Sequence, residues 1–406
     1  MKDTANAVTW IIHNVKIVMG DEWQHGSVTV VDGRIHRIAE QGEPETDLYE
    51  ESPELVLDGQ GGWLMPGFID VHVHGGFGSD FMDASKASYD TITKFHAAHG
   101  TTGMLATTVT ASPEAIEAVL AASSAYRQGE MPYAELLGVH LEGPFISSKW
   151  PGAQNPSYIV EPRIDWLRRW TSNYPDLVRM LTLAPENEGA LEAVAWLAGH
   201  GIVAACGHTD ATYEQLIKAV DEGLSHAVHT YNAMRGLHHR EPGTVGAVLT
   251  ENRVSAEIIA DGEHAHPAAI RLLVSAKPSD KLLLITDAIS AAGMADGAYD
   301  LGGLPVTVHE GVARLTQGGA LAGSSLTMIQ AFRYMLEHTG LSVPEVSRLA
   351  SGNAAKLLGI SEATGSIALG KQADLILVDS ALSLRSTWVR GRQVYNAQEG
   401  APSQGF

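Results

Sequence analysis

The sequence predicts an α/β chain. A TIM-like (β/α)8 barrel is expected over residues 63–357, with a small β-sandwich domain built from both ends, residues 1–62 and 358–406. Three observations predict it. From Trp63 onward, eight short apolar runs alternate with amphipathic helical stretches, the signature of parallel strands joined by helices. Residues able to bind metal or move protons follow these runs at one end, where such barrels build their active sites. The two chain ends carry short β-like runs of similar length, which pack most simply against each other.

In chain order, residues 10–18, 27–31 and 34–38 read as strands, separated by the turn signals Gly20-Asp21 and Asp32-Gly33. Leu55-Val-Leu57 precedes Asp58-Gly59 and leads into the barrel. The eight barrel runs are 67–71, 103–109, 136–141, 178–183, 202–206, 225–228, 254–260 and 282–286. Helical periodicity lies between them at 84–98, 113–127, 165–173, 188–199, 212–222 and 267–276. Residues 290–323 are glycine-rich, with a hairpin expected from 304–309 and 311–315, either covering a substrate or purely structural. Ser324-Ser325 are placed to cap a helix over 326–338, and a second helix over 343–358 closes the barrel. Residues 365–379 and 386–395 are β-like again.

Composition excludes several classes of partner. A formal charge of −20 argues against nucleic acid and anionic membranes. No apolar run approaches the roughly 20 residues of a membrane span. The first ten residues lack the basic start and apolar core of a signal peptide, and Cys206 has no cysteine to pair with. A cytoplasmic protein is expected.

The candidate chemistry begins at Phe68-Ile-Asp-Val-His-Val-His74. Side chains two apart on a strand point the same way, so His72 and His74 converge, and Gly75-Gly76 let the chain turn away. Alone, this pair reads equally well as two histidines packed near a strand end. The other strands supply more: Glu142 after the third, His208 after the fifth, His229 after the sixth, Asp261 and His264 after the seventh, Asp287 after the eighth. Imidazoles with a carboxylate suit Zn or Fe better than Mg, which prefers oxygen. Glu142, His208 and His229 make a three-ligand site with a position left open for water, the catalytic arrangement of zinc. His72 and His74 allow a second ion, with Glu142 bridging. A bound ion lowers the pKa of its water toward ~7 and so yields a hydroxide nucleophile. Asp287 is placed to shuttle the proton to a leaving amine, or else to cap a turn. Arg235, His238, His239 and Arg240 crowd one loop of an acidic chain and suit an anion such as phosphate, or a solvated surface.

These motifs resemble the N-acetylglucosamine-6-phosphate deacetylases of the amidohydrolase superfamily. The resemblance rests on Pro66-Gly-Phe-Ile-Asp-Val-His-Val-His-Gly, His140-Leu-Glu-Gly-Pro-Phe, Gly207-His-Thr-Asp-Ala-Thr, His229-Thr-Tyr-Asn-Ala-Met, Arg240-Glu-Pro-Gly, Ala260-Asp-Gly-Glu-His, Thr286-Asp-Ala, Leu321-Ala-Gly-Ser, Ser351-Gly-Asn-Ala-Ala and Gly370-Lys-Gln-Ala-Asp. It implies hydrolysis of N-acetylglucosamine 6-phosphate to glucosamine 6-phosphate and acetate. It also implies Glu142, His208 and His229 as main ligands of one or two ions, and Asp287 as acid/base. Asn232, Ala233, Arg240 and His264 are implied as sugar-phosphate contacts, with Ala153, Gln154, Leu321, Ala322, Gly323 and Ser324 lining the rest of the substrate pocket. Arg240 or His264 would reach a neighbouring subunit's site, which implies a homodimer.

Some members of that family lack the His-x-His pair and use one ion; this chain keeps both histidines. In some single-ion members a histidine stands where this chain has Gln154, which can donate a hydrogen bond to a carbonyl but cannot become a cation. Other readings are the same chemistry on N-acetylgalactosamine 6-phosphate, a cyclic amidase, and a non-catalytic scaffold. Cyclic amidases usually bridge two ions with a modified lysine, and no lysine ends a candidate strand here.

Overall fold

A computed structural model describes residues 9–42, 53 and 55–398. The expected domain limits at 1 and 406, and most of the stretch read for a signal peptide, lie outside the described residues.

Eight parallel strands among the described residues form the barrel, in the order Phe68–Val73, Thr101–Thr108, Glu135–Glu142, Val178–Leu183, Val203–Cys206, His226–Ala227, Ser255–Ile259 and Leu282–Ile285. All residues of the first, second, seventh and eighth of these are buried. Helices cover the sheet outside and side chains fill it inside, so the strands read as near-continuous apolar runs. Main-chain pairing runs unbroken from the first strand to the eighth. The seam between those two is bridged by individual hydrogen bonds. Thr286 Oγ1 donates to Asp70 Oδ2 at 2.6 Å, and Asp287 N donates to His72 O at 2.9 Å. Burial, against the Thr286 hydrogen bonds, pushes the Asp70 carboxyl up to about 7. The seam therefore lies directly beneath His72 and Asp287.

Local sequence starts the helices where expected. Ser112 caps Pro113–Gln128, and Thr212 with Gln215 forms a capping box on Tyr213–Asp221. The helix Gly243–Thr250 was not foreseen, because its glycines, valines and threonines have low helix propensity. Burial of residues 243–249 supports it instead. Lys277 helps: its Nζ donates to the carbonyl oxygens of Val248, Glu251 and Val254 at 3.0, 2.9 and 2.5 Å, satisfying groups at the end of that helix. Lys277→Met should cost about 1.5–3 kcal/mol, the worth of hydrogen bonds to a charged group. The check is a lower denaturant midpoint at unchanged slope.

The terminal strands form one mixed sheet. Its order is Arg392–Asn396, Leu384–Val389, Leu375–Val378, Trp63–Pro66, Thr9–Met19, Glu22–Val31, Arg34–Glu40, with Leu55–Asp58 also paired to Thr9–Met19. Trp10 stacks on Trp388 with centroids 5.3 Å apart, joining the two ends of the chain. Trp63–Pro66, at the expected start of the barrel, hydrogen-bonds within this sheet.

Three local expectations are corrected. The hairpin after the eighth strand has a third strand, Gly297–Leu301, beside Leu304–His309 and Val312–Leu315, with its own small apolar core. Neither Ser324 nor Ser325 caps the following helix. Thr327 does so with Gln330 ahead of Met328–Thr339, while the serine hydroxyls bond to Thr286 O and Gly311 O. The helix expected over 343–358 is broken by a π turn, Arg348–Gly352, between Val343–Ser347 and Asn353–Leu357. Ser351 Oγ donates to Gly67 O, and Asn353 Nδ2 donates to Ser279 O and Leu282 O; these anchors to the barrel accompany the irregular turn. Among the described residues no helix is long and apolar enough to cross a membrane.

Candidate metal centre

The strand ends bring six of the expected residues into one buried cluster. Glu142 Oε1 lies 3.2 Å from His208 Nε2 and 3.1 Å from His229 Nε2, and the two imidazole nitrogens are 3.1 Å apart. Four ligands about 2.0 Å from a zinc ion stand roughly 3.3 Å from one another, so this triangle has the size of a ligand face. Beside it, His74 Nε2 is 3.1 Å from Asp287 Oδ1 and 3.4 Å from Glu142 Oε2. His72 Nε2 is 3.2 Å from Glu142 Oε1 and 3.6 Å from Asp287 Oδ1. Among the described residues, His72, His74 and Asp287 form one group able to hold an ion, and His72, Glu142 and His229 another.

The donor set fits a divalent cation. His72 Nε2 is fully buried and has no hydrogen bond aligned to it, despite the carboxylate nearby. Burial opposes charge on Glu142, yet His72, His208 and His229 hold its carboxyl well below the usual range. Burial likewise opposes a proton on His74, but Asp287 and Glu142 push it up to about 10. Converging carboxylates therefore favour positive charge at this point.

The backbone is strained where the chemistry sits. His208, His229 and Asp287 have φ of 47°, 30° and 52°, a region that non-glycine residues seldom occupy. Two glycines permit the packing around them. A Cβ on Gly75 would meet Ser79 O at 2.3 Å, and one on Gly323 would meet Asp287 O at 2.8 Å with φ already at +57°.

Comparison with known proteins agrees with this geometry. Residues 63–394 match the amidohydrolase family. The N-acetylglucosamine-6-phosphate deacetylase of Bacillus subtilis is 39% identical over 397 residues, covering 97% of this chain and 99% of its own. The chain belongs to the N-acetylglucosamine-6-phosphate deacetylases of the amidohydrolase superfamily. A Mycobacterium smegmatis deacetylase variant, solved with N-acetyl-D-glucosamine-6-phosphate, superposes with a TM-score of 0.88 at 33% identity, over 96% of this chain and 100% of its own. The N-acetylgalactosamine-6-phosphate deacetylase of Escherichia coli O157:H7 is also similar, 41% identical over 343 residues, 84% of this chain and 90% of its own.

In this deacetylase all of the cluster but His72 lines a cavity of about 350 Å³, together with Lys149, Trp150, Ala153, Gln154, Asn232, Ala233, His264, Leu301, Leu321 and Gly323. That volume falls within the range of about 300–1,000 Å³ typical of small-molecule sites. Ala322 and Ser324 are buried behind the wall, Ser324 donating to Thr286 O and to neither cavity nor solvent. Gln154 is engaged at both ends: Oε1 accepts from Thr110 N at 2.6 Å and Nε2 donates to Glu142 Oε2 at 2.5 Å. The side chain expected to donate to a substrate carbonyl thus donates to the Glu142 carboxylate. The basic loop divides. Arg235 makes a two-pronged pair with Asp210, at 3.1 and 2.7 Å. His238, His239 and Arg240 are exposed and do not line the cavity.

Glu257 was missed. It lies in the seventh strand, fully buried, against His72, His226 and the main chain of His229. A charged residue inside the apolar run 254–260 was the signal available.

Proposed function

We propose that the chain hydrolyses the acetamide of N-acetylglucosamine 6-phosphate, giving glucosamine 6-phosphate and acetate. The observation that carries this reading is the Glu142, His208 and His229 triangle facing Asp287 across one cavity, in a chain so similar to deacetylases of that sugar. Glu142, His208 and His229 would hold a divalent ion of the Zn or Fe class and His72 with His74 a second, acidifying water and polarising the amide carbonyl.

Asp287 moves the proton. Burial works against its charge, while the neighbouring His72 and His74 hold its carboxyl below the ordinary value. It takes the proton of the attacking water and returns it to the sugar nitrogen as the C–N bond breaks, since an unprotonated amine leaves poorly. The water oxygen ends in acetate. Its backbone is pinned on both sides, Asp287 N to His72 O at 2.9 Å and Ser324 N to Asp287 O at 2.8 Å, which keeps the carboxylate within reach of both partners.

For the sugar phosphate, our reading assigns Asn232, Ala233 and His264 from this chain and Arg240 from a second copy, the exposed Arg240 being free to reach a neighbour in a homodimer. Ala153, Leu321 and Gly323 wall the sugar and acetyl group, backed by Ala322 and Ser324. A phosphorylated substrate and a lone Cys206 suit the cytoplasm.

His264 provides a pH test. Burial disfavours its charged form, yet Asp261 Oδ2, 2.6 Å from Nδ1, holds the imidazole above its ordinary pKa. The raised pKa carries the cation to higher pH than an ordinary imidazole would allow, and the charge is lost as pH rises through that raised value. KM for the sugar phosphate should therefore rise as pH climbs through it. His264→Asn should flatten that rise; a wild-type KM that is level with pH contradicts the assignment.

The second reading is N-acetylgalactosamine 6-phosphate, favoured by the 41% identity to an enzyme of that name. Acetate release from both sugar phosphates, compared as kcat/KM, decides between them.

A further inference from the structure

We infer that Glu257 is a positioning residue that locks the tautomer of His72 and the strained main chain of His229, and so couples the two ligand groups of the centre. The inference rests on the metal-dependent reading above. Glu257 Oε2 is 2.9 Å from His72 Nδ1 and 3.1 Å from His229 N, and Oε1 is 2.9 Å from His226 Nε2. Glu257 is 0% exposed.

The contacts fix which nitrogen of His72 carries the hydrogen when the ring is neutral. An ionised carboxylate only accepts hydrogen bonds, so His72 Nδ1 must carry the hydrogen. Its lone pair then sits on Nε2, the buried atom that has no aligned partner and faces Glu142 and Asp287. The same Oε2 receives the main-chain N–H of His229, whose φ of 30° needs an external tie to persist. His72 belongs to both possible ion-holding groups and His229 to one of them. One carboxylate oxygen therefore orients a ligand ring and anchors the backbone of another. Outer partners of this kind set ligand orientation and basicity.

The test is to count bound ions and measure ion affinity by chelator competition in Glu257→Met and Glu257→Gln, alongside kcat and KM. Glu257→Met is expected to weaken ion binding by about 10–100-fold, with kcat lowered and KM near wild type. Glu257→Gln keeps a carbonyl oxygen that can accept from His72 Nδ1 and His229 N, and should recover most of the affinity. Wild-type ion affinity in Glu257→Met overturns the inference, and so does a Gln variant as weak as the Met variant. If Glu257→Met does not fold, Glu257→Asp withdraws the carboxylate by one methylene and keeps its charge. Weakened ion binding is expected there too, and unchanged affinity overturns the role. Ion counting needs no substrate: a wild-type protein that holds ions but releases no acetate breaks the functional reading and leaves Glu257 testable. A wild-type protein that takes up no ion overturns both.

Discussion

Asp287→Asn should lower kcat by about 10²–10⁴-fold, the usual worth of a positioned acid/base, while KM and the ion count stay close to wild type. The amide matches the carboxylate in shape, so the φ of 52° and the main-chain bonds to His72 and Ser324 need not change. What it loses is the ability to take a proton from water and deliver it to nitrogen. A loss confined to KM would assign Asp287 to binding instead. A fall in ion count would make it chiefly a ligand, a role its 3.1 Å approach to His74 Nε2 also permits.

Removing His72 and His74 together, as the double alanine variant, should cut kcat by about 10²–10³-fold, comparable to losing one strong electrostatic stabiliser of a transition state. The bound ions should fall from two to one. The reason lies in Gln154. The family resemblance implies a histidine at that position in some single-ion members, able to become a cation, whereas the Gln154 amide is neutral and tied to Thr110 and Glu142. Polarisation of the acetamide carbonyl then depends on the ion beside His72 and His74. Unchanged turnover in the double variant would sink this account.

The barrel and its strand-end residues were legible because parallel strands buried on both faces leave little choice. Their interiors must be apolar, so a polar residue at a strand end stands out, as Glu142, His208, His229 and Asp287 do. His72 and His74 were legible as a converging pair from period-two geometry, and as candidate ligands only together with the residues at the other strand ends. Glu257 was not, because a lone glutamate within an apolar run shows its purpose only when the first and sixth strands bring His72, His226 and His229 around it. The pairing of Arg235 with Asp210 was not legible, since Asp210 lies on the preceding strand-end loop and nothing local announces it. The π turn at Arg348–Gly352 is associated with long-range anchors to Gly67, Ser279 and Leu282, which local helix propensity does not encode. Tertiary contacts decided each of these cases, and local pattern decided the others.

The central claim is that hydrolysis of the sugar-phosphate acetamide depends on divalent metal in the Glu142, His208, His229, His72 and His74 cluster. The most direct test is acetate release from N-acetylglucosamine 6-phosphate by the purified protein, before and after chelation, with bound metal counted on the same sample. Turnover that is lost with the metal and restored by adding it back, at about two ions per chain, is the expected result. Undiminished turnover in metal-free protein would contradict the account.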